Sequence, residues 1–161
     1  MKSMIFEVTI VDQHSLILPD EIVRPFKEAG HQRVLAKARF NGKEVDFHAA
    51  LQNDKNGLNR MTFGKTLQKK LGVFINDYFE LQLFEDRSKY GVEMPEELNA
   101  VFQSDQEAFD RFEMLTPGRQ RSIIYSIKRY KNSQTRIDKS LMVGENLKKG
   151  ISDLKLILKH N

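Results

Sequence analysis

Up to about Phe84 the chain reads mainly as β, with apolar residues at alternate positions in its strand-like stretches, and from Pro95 onward apolar residues recur at helical spacing. A chain that changes period once folds as a sheet followed by helices, an α+β arrangement rather than alternating βαβ units. Between the two periods lies EDRSKYGVE, Glu85 to Glu93, which is charged, contains Gly91 and has no periodicity. It reads as a linker, so the expected domains are residues 1–86 and 92–161. A length of 161 residues suits two small domains of this kind.

In the first half, Phe6, Val8 and Ile10 alternate with Glu7 and Thr9, the pattern of a half-buried strand. Leu16 to Leu18 runs into Pro19-Asp20-Glu21, a helix start. That helix carries Ile22, Val23 and Phe26, stops near Gly30, and is expected to be distorted or shortened by Pro25. The strongest local signal is Asn41-Gly42 between RVLAKARF and KEVDFHAA, the dipeptide of a two-residue type I′ hairpin. Pairing outward puts Phe40 opposite Lys43, Ala38 opposite Val45 and Ala36 opposite Phe47. Arg39 then faces Glu44, and Lys37 faces Asp46. Arg33, Lys37 and Arg39 resemble a phosphate-gripping stripe, but two of the three have a carboxylate across the ladder, worth roughly 0.2–1 kcal/mol per pair. A self-neutralised face does not suit phosphates, which need uncompensated charge.

A strand around Leu58 to Phe63 precedes GKTLQKKLG, a short helix with Leu67 and Leu71 on one side and Gly72 at its stop. A turn at Asn76-Asp77 then launches a strand bearing Phe79, Leu81 and Leu83. Strand, short helix and strand thus occur twice, as in an internal duplication.

The second half reads as helices throughout. Pro95-Glu96-Glu97 opens a helix with Leu98, Val101 and Phe102 on its apolar face. Ser104 to Glu107 has capping-box spacing for the next, which carries Ala108, Phe109, Phe112 and Leu115. Thr116-Pro117 starts a third, with Ile123, Ile124, Ile127 and Tyr130. Ser133 is placed to cap a fourth, with Ile137, Leu141 and Leu147, ending near Gly150. Ile151, Leu154, Ile157 and Leu158 suggest a short amphipathic extension docked on the other helices.

Charge is segregated along these helices. Glu93 to Glu113 holds seven acids and one base, and Arg119 to Lys139 holds seven bases and one acid. Either the two groups neutralise each other across their rims, or the basic helices present an outward anion-binding face. Exposed pairs contribute only ~0–1 kcal/mol, so charge alone leaves both readings open. The candidate anion or nucleic-acid residues are Arg119, Arg121, Lys128, Arg129 and Lys131, beside Tyr125 and Tyr130. Arg136 is expected to form a structural ion pair with Glu96 or Glu97.

Other chemistry is sparse. With no cysteine there are no disulfides, thiolate nucleophiles or cysteine metal sites. His14, His31, His48 and His160 lack metal-ligand spacing and partner arrangement, and His48 reads as a surface histidine near Asp46. Gly64-Lys65-Thr66 resembles the end of a P-loop, but the required upstream glycine is Asn59. No residue nominates itself as catalytic, no cofactor or metal is indicated, and an enzyme is the less favoured reading. Net charge is +4, a weak prior for an anionic partner. Glu7 and Asp12 interrupt any signal-like apolar stretch, and no run is long enough to span a bilayer, so a cytoplasmic protein is expected.

The spacing of Pro95, Leu98, Phe112, Leu115 to Pro117, Arg121, Ile127, Lys131, Thr135-Arg136, Lys139, Leu147 and Gly150 resembles the YdeI/OmpD-associated family. That family has tryptophan where this chain has Ser126, and a basic residue where it has Asp138. LPDEIVRPFKEAG and KTLQKKLGVFINDYFEL are similar to the small β-barrel family found before such tails. That family is grouped with the double-split β-barrels of AbrB-like regulators, and its Gly-Asp before the last strand is Asn76-Asp77 here. Together the resemblances imply an N-terminal double-split β-barrel with two short helices, a small helical domain, and a groove where they meet. They imply a bacterial protein whose relatives are named for bacteriocin protection and linked with antimicrobial-peptide tolerance, which supplies no reaction. Three functions follow as expectations. One is a non-enzymatic binding or adaptor protein in stress tolerance, with a protein or small-molecule partner. Another is an AbrB-like nucleic-acid-binding regulator, and a third is an enzyme of unknown type using the groove.

Overall fold

The Asn41-Gly42 turn sets the register of the N-terminal sheet. In the computed structural model, which describes residues 1–161, Asn41 and Gly42 have φ of 49° and 80°, as a type I′ turn requires. The strands it joins, β3 (Arg33–Phe40) and β4 (Lys43–Ala50), pair Ala36 with Phe47, Ala38 with Val45 and Arg39 with Glu44. Lys37 lies opposite Asp46 but reaches diagonally to Glu44, which holds both Lys37 (3.3 Å) and Arg39 (2.7 Å).

The chain is mixed α+β, with one seven-stranded antiparallel sheet and six helices. It divides into two compact units, residues 1–87 and 88–161. In the first, β3 and β4 are joined by β1 (Phe6–Val11), β2 (Ser15–Leu18), β5 (Gln52–Asn53), β6 (Asn59–Thr62) and β7 (Tyr78–Glu85). Helix α1 (Asp20–Glu28) links β2 to β3, and α2 (Lys65–Leu71) links β6 to β7. The strand order is β4-β3-β7-β1-β2-β6-β5. Its two edges, β4 and β5, are separated in the chain by Leu51 alone, so the sheet must curl until its edges meet.

The connectivity has an internal two-fold pattern. If β1, β2, α1 and β3 are matched with β4–β5, β6, α2 and β7, then β2 pairs with its counterpart β6, and β3 with its counterpart β7. The remaining pairs exchange under the same match, β1–β7 with β4–β3 and β1–β2 with β5–β6. Inside the curl lie Leu16, Phe26, Val34, Met61, Phe63, Leu71, Leu81 and Leu83, all essentially fully buried. Burial of each large apolar side chain contributes about 1.5–3 kcal/mol.

Pro25 does not shorten α1, which runs on to Glu28 before Gly30 turns at φ 87°. Proline costs one hydrogen bond there, and burial of Ile22, Val23 and Phe26 on the same helix offsets it. Helix α2 ends as expected, with Gly72 left-handed at φ 79°.

The second unit holds α3 (Glu96–Ser104), α4 (Gln106–Glu113), α5 (Pro117–Lys128) and α6 (Ser133–Lys148). Part of the expected linker belongs to its core: Val92 is buried, Tyr90 stacks edge-on to Phe112 at 5.4 Å, and the Tyr90 hydroxyl donates to Glu113. Two caps differ from expectation. Asp105, not Ser104, accepts from the Ala108 N–H at 3.2 Å, while the Ser104 hydroxyl donates back to Ala100 and Val101 carbonyls. Asn132, not Ser133, caps α6 by accepting from the Thr135 N–H.

The buried face of α6 is also rotated from its expected position. Ile137 and Leu141 are exposed, and the interior face is Ser140, Val143, Gly144 and Leu147. Both α3 and α4 pack on α6, and the missing side chain at Gly144 allows Val101 of α3 and Ala108 of α4 to approach it. The last residues form turns rather than an amphipathic helix. Ile157 and Leu158 are buried while Leu154 and Leu156 face water.

Candidate functional site

Arg136 occupies the most elaborated polar position among the predicted residues. It projects from the first turn of α6, where Asn132 has fixed the helix start, toward the end of α5. Its Nε donates to Glu97 Oε1 at 2.6 Å. Its Nη1 donates to the Tyr130 and Lys131 carbonyls at 2.8 and 2.9 Å, in the connection between α5 and α6. Glu96, the alternative partner, takes no part. The other terminal nitrogen, Nη2, makes no hydrogen bond. Beside the guanidinium is a notch of about 220 Å3, lined by Glu93, Met94, Pro95, Glu97, Lys128 and Arg136. A guanidinium held on three sides offers one nitrogen in a fixed position, with Lys128 as a second cation.

The other predicted cations are not brought together as one site. Arg121, Tyr125 and Lys128 fall at i, i+4 and i+7 of α5, one stripe of the helix. Neither Arg121 nor Lys128 pairs with a carboxylate. Arg119 lies on another face of α5, where Nη1 donates to the Ser152 carbonyl at 2.7 Å. Arg129 lies over the Tyr130 ring at 5.3 Å from its centroid, and its Nη2 meets the Tyr130 hydroxyl at 3.4 Å. Lys131 is exposed beyond the end of α5. The acidic and basic helices exchange ion pairs at two points only, Arg136–Glu97 and Lys148–Asp105 (2.8 Å).

Several polar groups escaped sequence reasoning. His48 Nδ1 lies 3.0 Å from Asp86 Oδ2, and His31 Nε2 lies 3.4 Å from Glu85 Oε2. The Glu85 carboxyl is held below its ordinary value, first by the Arg87 hydrogen bond and then by the N-terminal amine. These pairs arise because β3 lies between β4 and β7, a pairing that local patterns do not announce. Asn146, fully buried on α6, donates through Nδ2 to the carbonyls of Leu156, Ile157 and Lys159. A polar residue one step from Leu147 on an apolar stripe was its only sequence signal. Near it, a groove of about 520 Å3 runs between α6 and residues 159–161, with Leu141, Met142 and Lys149 in its walls.

In the first unit, Arg60 holds Asp54 and Asp12, both at 2.8 Å, and Asn59 joins Asp20, Lys27 and Asn53. These groups satisfy one another. No group of three or more His, Asp or Glu side chains is placed to hold a metal ion. No helix is long and apolar enough to cross a membrane.

No curated protein matches the chain. Among solved structures, the solution structure of PHS018 from Pyrococcus horikoshii is 22% identical, covering 52% of this chain and 95% of that one, with a TM-score of 0.38. Residues 91–150, which carry the Arg136 notch and all four helices of the second unit, match the bacteriocin-protection, YdeI or OmpD-associated family, OmdA.

Proposed function

We propose that this chain is a non-enzymatic binding or adaptor protein of bacteriocin or stress tolerance, and that the Arg136 notch is where its helical unit takes a carboxylate-bearing ligand. The observation that carries this reading is that Arg136, whose Nη2 takes no part in the bonds that fix its guanidinium, lines a notch together with Lys128. Because Glu97 and two carbonyls fix the guanidinium, a ligand meets a nitrogen that loses little freedom on binding. Glu93 and Glu97 on the same lining oppose a purely anionic ligand and favour one that brings a positive group too. Glycine against acetate is therefore the informative comparison. Nuclear magnetic resonance titration should shift the Arg136 side-chain signals with glycine more than with acetate, and the Lys128→Ala substitution should weaken the effect. Signals that ignore both probes would sink the reading.

In the same reading, residues 1–86 form a double-split β-barrel and 92–161 a helical YdeI/OmpD-associated-like domain. Support for the barrel comes from the interleaved two-fold connectivity and from sheet edges that only Leu51 separates.

A second reading, an AbrB-like nucleic-acid-binding regulator, is favoured by the Arg121–Tyr125–Lys128 stripe, whose cations lack carboxylate partners. It predicts that labelled DNA binds with an affinity falling steeply with salt, and that Arg121→Glu with Lys128→Glu abolishes binding. Anisotropy titrations at low and physiological salt decide between the two readings.

A further inference from the structure

We propose that the turn between α2 and β7, residues 74–78 with the lysines around it, docks on the surface of an anionic lipid bilayer. Phe74 is 76% exposed, Tyr78 66% and Ile75 49%, three large apolar side chains within five residues. Single exposed apolar residues are ordinary, but a contiguous set rimmed by charge marks a contact surface. The turn does not leave them outside by being slack. Val73 and Phe79 are buried on either side of it. Asp77 Oδ2 accepts from the Phe74 N–H at 2.8 Å, the Asp77 N–H returns to the Phe74 carbonyl at 3.1 Å, and Asn76 takes a left-handed φ of 81°. The local sequence therefore fixes Phe74 and Ile75 in water, at a cost that folding of this unit alone does not explain.

The surrounding charge selects the partner. Lys65, Lys69 and Lys70 lie on α2, whose first turn has no acid, and Lys69 and Lys70 sit in the last turn before the tip. Lys43 approaches from the β3–β4 hairpin, placing its Nζ 3.3 Å from where a Gly72 Cβ would be. None of these four lysines forms an ion pair. Of the neighbouring carboxylates, Glu44 is paired with Lys37 and Arg39 and Asp12 with Arg60, while Asp77 accepts from the Phe74 N–H and leaves one negative charge among the four lysines. Glu80 lies between Arg39 and Glu7 in the ladder. Apolar tips ringed by lysines suit a bilayer, where the rings enter the interface and the ammonium groups stay at the headgroups. Nucleic-acid stacking sites instead place aromatics along a charged groove, commonly with arginine. Each lysine at an anionic surface strengthens partitioning roughly fivefold. The protein would lie on the bilayer through this tip, not cross it.

The test uses the full chain with vesicles of phosphatidylcholine alone and of phosphatidylcholine mixed with phosphatidylglycerol. Co-sedimentation should occur with the mixed vesicles and fall with added salt. Phe74→Ser with Ile75→Ser, and separately Lys69→Gln with Lys70→Gln, should each reduce it at least about tenfold without lowering the thermal midpoint. The chain has no tryptophan, so Phe74→Trp supplies a single reporter whose emission should shift to the blue on mixed vesicles alone. The proposal is overturned by equal binding to both vesicles, by no binding, or by serine variants that bind as well as the parent. Binding of an oligonucleotide through the same residues, with vesicles ignored, overturns it in favour of nucleic acid.

Discussion

Gly144 of α6 approaches Val101 of α3 so closely that a Cβ at Gly144 would lie 3.0 Å from Val101 Cγ1 and 3.7 Å from Ala108 Cβ. Three helices meet where one has no side chain. Alanine at 144 gains about 1 kcal/mol of helix propensity, but it pushes on a buried valine that is stiff about χ1. Overpacking of this kind costs about 1–3 kcal/mol, so Gly144→Ala should destabilise by about 1 kcal/mol. In a Val101→Ala background the strain disappears and the propensity remains, so the same substitution should stabilise by up to about 1 kcal/mol. Urea unfolding of the four chains measures both signs. Simple additivity would show that the close approach carries no strain.

The same contact shows why some of the fold was legible in the sequence and some was not. Asn41-Gly42 determines hairpin register from two residues, because a one-residue slip would turn Ala36, Ala38 and Phe47 outward. The buried face of α6 depends instead on the helices that cross it. Ile137 and Leu141 are more hydrophobic than Ser140 and Gly144, yet steric fit to Val101 and Ala108 puts the small residues inside. The candidate site divides in the same way. Arg136 and Glu97 were both nameable from the sequence, and their pairing at 2.6 Å is a product of α3 and α6 packing. His48–Asp86 was not legible, since it needs the β3–β7 pairing to exist first.

Removal of Arg136 should be more damaging than its position near the surface suggests. The Glu97 side chain is only 8% exposed, and without Arg136 its charge is stranded along with the Tyr130 and Lys131 carbonyls. Loss of one partner of such a pair costs about 3–5 kcal/mol, toward the low end here because Arg136 is 25% exposed. Arg136→Leu paired with Glu97→Leu should recover much of the loss. A double-mutant cycle by thermal or urea unfolding gives the coupling, and a pair no better than Arg136→Leu alone would contradict the argument.

The Asp105–Lys148 bridge predicts a stability window in pH. The Asp105 carboxyl is held below its ordinary 3.8, first by the Lys148 hydrogen bond and then by the Ala108 N–H. Lys148 is pushed above its ordinary 10.5, first by Asp105 and then by Glu145. A depressed acid contributes stability that is complete above its unfolded value and is lost as pH falls through its folded one. A raised base contributes below its unfolded value and loses that contribution as pH rises through its folded one. The bridge should therefore be worth most between 3.8 and 10.5. Asp105→Asn keeps a side-chain cap and removes the charge, so its deficit in thermal midpoint should be constant within that window and close toward either extreme. A deficit unchanged well below the folded carboxyl value would mean that the cap geometry, not the charge, is what was lost.

Asn146 should prove indispensable for holding residues 151–161 against the helices. Its Nδ2 donates to the Ile157 and Lys159 carbonyls at 2.8 Å and to Leu156 at 3.3 Å, while its Oδ1 accepts from Asn161. Those bonds seat Ile157 and Leu158, which are buried. Asn146→Leu leaves the carbonyls without a donor and should cost about 1–3 kcal/mol. Asn146→Asp is the sharper test, because it turns a carboxylate toward three carbonyl oxygens with almost the same shape. At neutral pH it should cost more than the leucine variant and release the segment, seen as faster amide exchange from 151 to 161. The carbonyls favour the protonated acid, which can donate to one of them, so the folded-state value for this aspartate should rise above the unfolded one. Its penalty must then shrink as pH falls through that raised value, with protection of the segment returning. If the terminal amides stay protected in Asn146→Asp at neutral pH, the segment is held without the Asn146 side chain, by Ile157 and Leu158 packing and by the bonds from Arg119 to the Ser152 carbonyl and from Lys139 to the Leu158 carbonyl.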